Sequence, residues 1–186
     1  MMIQKAFESG NLVRIDRANL EVGTSVGYLV GHSEEIIMMQ LVDSEIRFNG
    51  FQILRIEDIT TFECPAPHQD FIENAMQLRK IERPTAPDLD LTNLGMAFAT
   101  LKRQAPLVTV YLELDEPDGC YIGRVDTVSH DRLTMYYIDP DAYFDEEPTE
   151  YRLSEITRID FGGGYEEALH LVSKSRTDKG GNSVLS

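Results

Sequence analysis

The sequence predicts a mainly β protein with flanking helices, built as two tandem five-stranded small barrels. Three observations carry that expectation: an ordered internal repeat, a hydrophobic period of two within each copy, and polar turn signals that cut each copy into about five short segments. The repeat opens with NLVRI at 11–15, which resembles PLVTV at 106–110. GYLVG at 27–31 follows, against GRVDT at 123–127, and then IIMMQL at 36–41 against LTMYYI at 133–138. In ILRIEDITTFE at 53–63 and YRLSEITRIDF at 151–161, Ile56, Asp58, Ile59 and Phe62 fall on Leu153, Glu155, Ile156 and Ile159. ENAMQL at 73–78 then matches EEALHL at 166–171. The order is kept throughout and the offsets drift only between 93 and 97, which marks a tandem duplication.

Each element has a local reason. Residues 2–8 are a short helix candidate, followed by a first strand in which Val13 and Ile15 alternate with Leu12, Arg14 and Asp16. Val26, Tyr28 and Val30 alternate with glycine and leucine in a second strand, and His32-Ser33-Glu34-Glu35 reads as a hairpin turn before Ile36–Leu41. Repeat 2 has Ser129-His130-Asp131-Arg132 at that turn. Asn49-Gly50 predicts a turn ahead of a strand at Phe51–Leu54, where repeat 2 uses the longer acidic loop from Asp139 to Glu150. Ile59–Glu63 and Ile156–Phe161 are the final strands, and barrel closure would remove the exposed edges of so small a sheet. Phe71–Leu78 and Tyr165–Val172 carry apolar residues at helical spacing, with Arg79, Lys80 and Lys174 at their C-terminal ends. Asp90 or Thr92 is the expected cap of a helix through Lys102. The expected organisation is therefore repeat 1 at 1–83, a proline-containing linker at 84–90, repeat 2 at 91–173 and a flexible tail at 174–186.

Composition narrows the function. Seventeen basic against 32 acidic side chains give a net charge of −15 over 186 residues, and the excess is even: −7 in residues 1–90 and −8 in 91–186. Phosphate-backbone binding needs clustered Lys and Arg, so DNA is excluded as an expected partner and RNA is disfavoured. No apolar run reaches the roughly 18 residues of a membrane span, and the first ten residues lack the pattern of a secretory signal, so a cytoplasmic protein with no membrane partner is expected. Cys64 and Cys120 form no CxxC pair and are too few for a disulfide framework.

Four motifs suggest chemistry, and each has a simpler reading. Gly23-Thr24-Ser25-Val26-Gly27 matches the GxSxG of a hydrolase nucleophile elbow, but Tyr28–Val30 continues as a strand and the repeat places Tyr121 at the serine position. Gly162-Gly163-Gly164 precedes a helix and offers backbone amides to an anion; Glu166 and Glu167 repel phosphate, so a hinge is expected. Asp139, Asp141, Asp145, Glu146, Glu147 and Glu150 collect oxygen ligands, yet Phe144 stands where an EF-hand needs glycine, so a solvated acidic loop is expected. His32, His68, His130 and His170 form no zinc spacing with one another or with cysteine, and a Cys120–His130 catalytic pair is disfavoured. The expectation is no catalytic residue, no metal, no cofactor and no assignable ligand-binding residue.

Residues 155–169, EITRIDFGGGYEEAL, resemble the last strand and helix of uncharacterised bacterial Sm-like proteins, and the resemblance extends over residues 2–80 and 92–173. It implies the Sm-like fold of Sm, LSm and Hfq proteins, an SH3-like small barrel, in each repeat. The arginine–glycine motif of RNA-binding Sm proteins is absent from Ile53–Ile59 and Tyr151–Ile156, and their aspartate- and asparagine-containing turn is absent from Gly31–Glu35 and Ser129–Arg132. The resemblance also implies association through strand edges, at Ile53–Arg55 and Ile59–Glu63 in one copy and Tyr151–Leu153 and Ile156–Phe161 in the other, either within the chain or between chains. The reading is a non-enzymatic binding protein whose partner is protein, a second copy of itself included. An RNA-binding Sm- or Hfq-like protein is the alternative, and an enzyme with a site between the barrels is a further one.

Overall fold

The computed structural model describes residues 2–20, 23–117 and 119–181, with side chains to Arg176. Among the described residues the chain is mainly β with four helices, in the order α1 Met2–Ser9, β1 Leu12–Asp16, β2 Thr24–His32, β3 Ile36–Val42, β4 Phe48–Arg55, β5 Thr61–Glu63 and α2 Gln69–Leu78. The second half repeats it: α3 Leu94–Leu101, β6 Val108–Tyr111, β7 Cys120–Val128, β8 Arg132–Tyr137, β9 Thr149–Arg152, β10 Arg158–Phe161 and α4 Gly164–Gly181. All ten strands join one antiparallel sheet, ordered β5-β1-β2-β3-β4-β10-β6-β7-β8-β9. Two closed five-stranded barrels are therefore not what is seen. Each half contributes five strands in the same internal order, and β4 of the first half pairs with β10 of the second.

The repeat is visible at atomic detail. Gly27 and Gly123 occupy the same place, and a Cβ on either would lie 2.2 or 2.3 Å from the carbonyl oxygen of Gln40 or Tyr136 on the next strand. Both second strands carry a bulge, between Leu29 and Gly31 and between Val125 and Thr127. A threonine clasp also recurs: Thr60 Oγ1 donates to Asp16 O and accepts from Ala18 N, as Thr157 Oγ1 does with Tyr111 O and Glu113 N. The third strands correct the sequence alignment by one residue. Ladder partners place Ile37 on Leu133 and Met39 on Met135, whereas IIMMQL against LTMYYI puts Ile36 on Leu133. A slip of one would exchange the two faces of the strand.

That exchange matters because both faces are buried. Ile36, Ile37, Met38 and Met39 are all within 2% of complete burial. Ile37 and Met39 join Val13, Ile15, Leu29 and Leu54 under Ile3 and Ala6 of α1. Ile36, Met38 and Ile53 point the other way, into a core shared with Phe98 and Leu101 of α3 and Val108, Val110, Leu133 and Ile159 of the second half. Period-two alternation thus divides β3 between two cores, one private and one shared. Leu12, Tyr28 and Val42 pack with Met76 of α2, and Leu107, Ile138 and Ala142 pack with Leu169 of α4, the residue aligned with Met76.

Three local expectations change. Asn49-Gly50 is not a turn: both residues lie inside β4, where Gly50 at φ +75° forms a bulge, and the chain reverses at Asp43–Arg47 instead. Its backbone needs glycine twice over, for the left-handed φ and because a Cβ would lie 2.5 Å from Phe161 O and 2.6 Å from Gly163 N of the second half. The cap of α3 is Asn93, whose Oδ1 accepts from Met96 N, while Asp90 Oδ1 accepts from Thr92 N in the turn before it. Helix α4 passes the expected end at Val172 and reaches Gly181; of the tail at 174–186, residues 182–186 lie outside the described residues. The linker at 84–90 carries neither helix nor strand, and its start is fixed to the first half by Arg83 Nε on Gln40 Oε1 and Gln40 Nε2 on Pro84 O.

Candidate functional site

The β4–β10 ladder sets Arg158 opposite Leu54, Ile159 opposite Ile53, Asp160 opposite Gln52 and Phe161 opposite Phe51. Polar and charged side chains from both halves converge on this seam. Ser25 Oγ donates to Gln52 Oε1 at 2.6 Å, and Gln52 Nε2 donates to Asp160 Oδ1 at 3.0 Å. Arg158 Nε lies 3.5 Å from Asp160 Oδ2, and its guanidinium stacks 3.5 Å from the Tyr111 ring centroid. On the first half's side, Arg17 is 1% exposed and donates to Glu113 Oε1 at 2.8 Å and to Thr157 O at 3.3 Å. Glu113 Oε2 also lies 2.6 Å from Thr157 Oγ1, which shares its single proton between this carboxylate and Tyr111 O, and Glu113 Oε1 lies 3.4 Å from Arg158 Nη1. Arg55 reaches across to donate to Leu153 O and Ile156 O.

Burial dominates the electrostatics. It holds the Asp160 carboxyl above the ordinary carboxylate range, against the opposing pull of Arg158 and the hydrogen bonds from Gln52 and Tyr111. Burial, then the negative Asp160, push the Tyr111 phenol up. The Asp58 carboxyl is raised by its own desolvation, partly offset by Arg17. Asp160, Arg158, Arg17 and Glu113 each have a partner within a few ångströms, so they form a buried network between the halves, whereas Asp58 Oδ2 is buried without a hydrogen-bond partner among the described residues.

At the Phe51–Phe161 end of the seam the contacts are a ring stack and a helix cap. Phe51 and Phe161 stack at 5.4 Å between centroids. Asn49 Oδ1 accepts from Gly164 N at 3.0 Å, so the first half supplies the cap for α4 of the second. The expected hinge at Gly162–Gly164 is therefore also a docking point, with Gly162 at φ +67°.

Two cavities of about 240 and 260 Å³ border the seam, the first reaching Ser25, Gln52, Arg158 and Asp160, the second Thr109, Tyr111, Asp160 and Glu166. Both are smaller than the usual small-molecule site. A groove of about 850 Å³ lies elsewhere in the first half, between Val26, Val42 and Ile46 of the sheet and Phe71 and Ile72 of α2, with Arg14, Asp43 and His68 also lining it.

Ser25 sits in strand β2, bonded to Gln52, and not on a turn into a helix. Cys120 opens β7, a nine-residue strand, and His130 lies beyond its opposite end, so the two are not brought together. His32 meets the Phe7 ring edge-on at 5.2 Å, and His68 stands just before α2 at φ +63°. His170 lies within α4. In the acidic loop Asp139 Oδ1 accepts from Tyr143 N and Glu150 pairs with Arg132. Among the described residues no three His, Cys, Asp or Glu side chains gather as a metal site. Sequence reasoning missed Arg17, Asn49, Gln52, Glu113, Arg158 and Asp160, which act only when the halves meet.

No family model matches the chain, and no curated protein or solved structure matches it. Among the described residues no helix is long and apolar enough to cross a membrane.

Proposed function

We propose that the chain is a non-enzymatic binding protein, composed of two Sm-like units, whose partner is another protein. One observation carries this reading: the molecule's own halves recognise each other as two proteins would, by strand-edge pairing flanked by a ring stack, a helix cap and buried charge pairs. Support for the Sm-like units comes from the shared strand order of the two halves and their recurrent bulge and threonine clasp. Support for a binding role over catalysis comes from the seam, where Ser25, Gln52, Asp160 and Arg158 are bonded to one another. A net charge of −15 disfavours nucleic acid as the partner.

Site-specific photocrosslinking tests the reading. A benzophenone amino acid replacing Phe71, which is 65% exposed at the groove, is expected to trap protein in native cells. Crosslinks dominated by RNA would overturn the proposal. Turnover by the purified chain in a broad hydrolase panel, abolished by Ser25→Ala, would overturn it as well.

A further inference from the structure

The two halves diverge where their second strands end. By ladder register His32 is the counterpart of Val128, and Val30, at the bulge, that of Asp126. Val128 packs against the shared core and closes β7 with an apolar side chain. His32 meets the Phe7 ring instead, and its Nδ1 is buried with no hydrogen-bond partner among the described residues. Buried polar atoms are almost always paired, so this nitrogen is one that a bound molecule would satisfy. Beside it lies a cavity of about 450 Å³, within the usual range of small-molecule sites. Phe7, Val30, His32 and Met38 form one wall, and residues 87–92, which lead into α3, form the other. That second wall is held in place by both halves. Leu91 lies so close to Gly31 that a Cβ there would be 2.5 Å from Leu91 Cδ1. Asp90 N donates to Thr100 Oγ1, and Gln104 Nε2 donates to Asp88 O.

We infer that this cavity binds a small organic cation, the ammonium form of an amine with a compact apolar body. Charge selects the head group. Asp88 and Asp90 bring two negative charges to the lining, and no lysine or arginine lines the cavity among the described residues. The second half meets the matching bulge with an ammonium of its own: Lys102, which follows α3, donates from Nζ to Asp126 O. At Val30 the first half leaves that role to a molecule from outside. A neutral imidazole with its proton on Nε2 presents Nδ1 as the acceptor that an ammonium N–H needs. Phe7, Val30 and Met38 give the apolar body its contact surface. An anion would face two carboxylates, and among the described residues no three ligating side chains gather to hold a metal ion instead. The inference goes beyond the protein-binding reading and is independent of it, because this cavity shares no lining residue with the groove at Phe71.

Three probes with one body and different heads test it on the full chain: 2-phenylethylammonium, 2-phenylethanol and phenylacetate, titrated at pH 7 while amide and imidazole NMR shifts are followed. The ammonium is expected to shift Gly31, His32 and Leu91 saturably, with a Kd below about 1 mM. The alcohol should bind at least about tenfold more weakly, and phenylacetate should leave these signals unmoved. Asp88→Asn combined with Asp90→Asn should weaken the ammonium at least about tenfold, while position 90 keeps an Oδ1 to accept from Thr92 N. His32→Phe keeps a ring against Phe7 but removes the nitrogen, and should weaken it about fivefold. Unchanged amide shifts remote from the cavity would show that each variant is folded, and the comparison of the three probes needs no variant. No saturable shift up to about 10 mM overturns the inference, as does phenylacetate binding as tightly as the ammonium. Unchanged affinity in the doubly substituted variant, or saturable shifts confined to residues outside the cavity, overturns it as well. None of these results bears on whether protein is trapped at Phe71.

Discussion

Replacing Gly50 by alanine is the sharpest test of how the halves are joined, because the added methyl meets backbone and not yielding side chains. Gly50 has φ +75°, a region that costs a residue with a Cβ about 1–2 kcal/mol. The methyl would also lie 2.5 Å from Phe161 O, 2.6 Å from Gly163 N and 2.7 Å from Gly162 C, against ordinary contact from 3.4 Å, so the seam must open by about 0.9 Å. Overpacking of that kind costs about 1–3 kcal/mol. The same movement lengthens the Asn49–Gly164 hydrogen bond, worth about 0.5–1.5 kcal/mol. The expected loss is about 3–6 kcal/mol, a large part of a typical stability of about 5–15 kcal/mol. Gly10→Ala is the matched control: φ is +64°, yet a Cβ there meets nothing within 4 Å, so it carries the backbone cost alone. Urea unfolding followed by circular dichroism should separate the two variants by about 2–4 kcal/mol. Equal losses would refute the claim that the close approach of the halves, and not backbone strain, requires glycine at position 50.

Arg17→Met leaves Glu113 buried with Arg158 as its charged neighbour, and should destabilise by about 3 kcal/mol in denaturant titration; adding Glu113→Leu should recover most of it. The Asp160 carboxyl has its pKa raised in the fold, so its contribution is greatest below the unfolded carboxylate pKa of about 3.9 and is lost as pH rises through the folded value. Asp160→Asn should therefore narrow the gap to wild type, or reverse it, as pH rises above about 4, measured as unfolding free energy at successive pH values. Asn49→Ala should cost about 1 kcal/mol of global stability and selectively speed amide exchange in the first turn of α4, read by hydrogen-exchange mass spectrometry.

The repeat, the strands and the helices were legible in the sequence because they follow from local spacing. Val13 and Ile15 alternate with Leu12 and Arg14 whatever the neighbours do, and the apolar residues of 165–172 recur at helical spacing. Turn chemistry was less secure: Asn49-Gly50 suits a hairpin, but the left-handed glycine is used for a bulge where another part of the chain approaches. The offset of the third strands failed by one for a related reason. Ile36, Ile37, Met38 and Met39 are all apolar, so the pattern contains no polar face to fix which side is which. Only tertiary structure divides them between the private and the shared core. The seam was the least legible feature, since Arg17 and Glu113 stand 96 residues apart and neither has a pattern around it. Their burial is decided by the meeting of β4 with β10, a contact between distant parts of the chain that no local periodicity encodes.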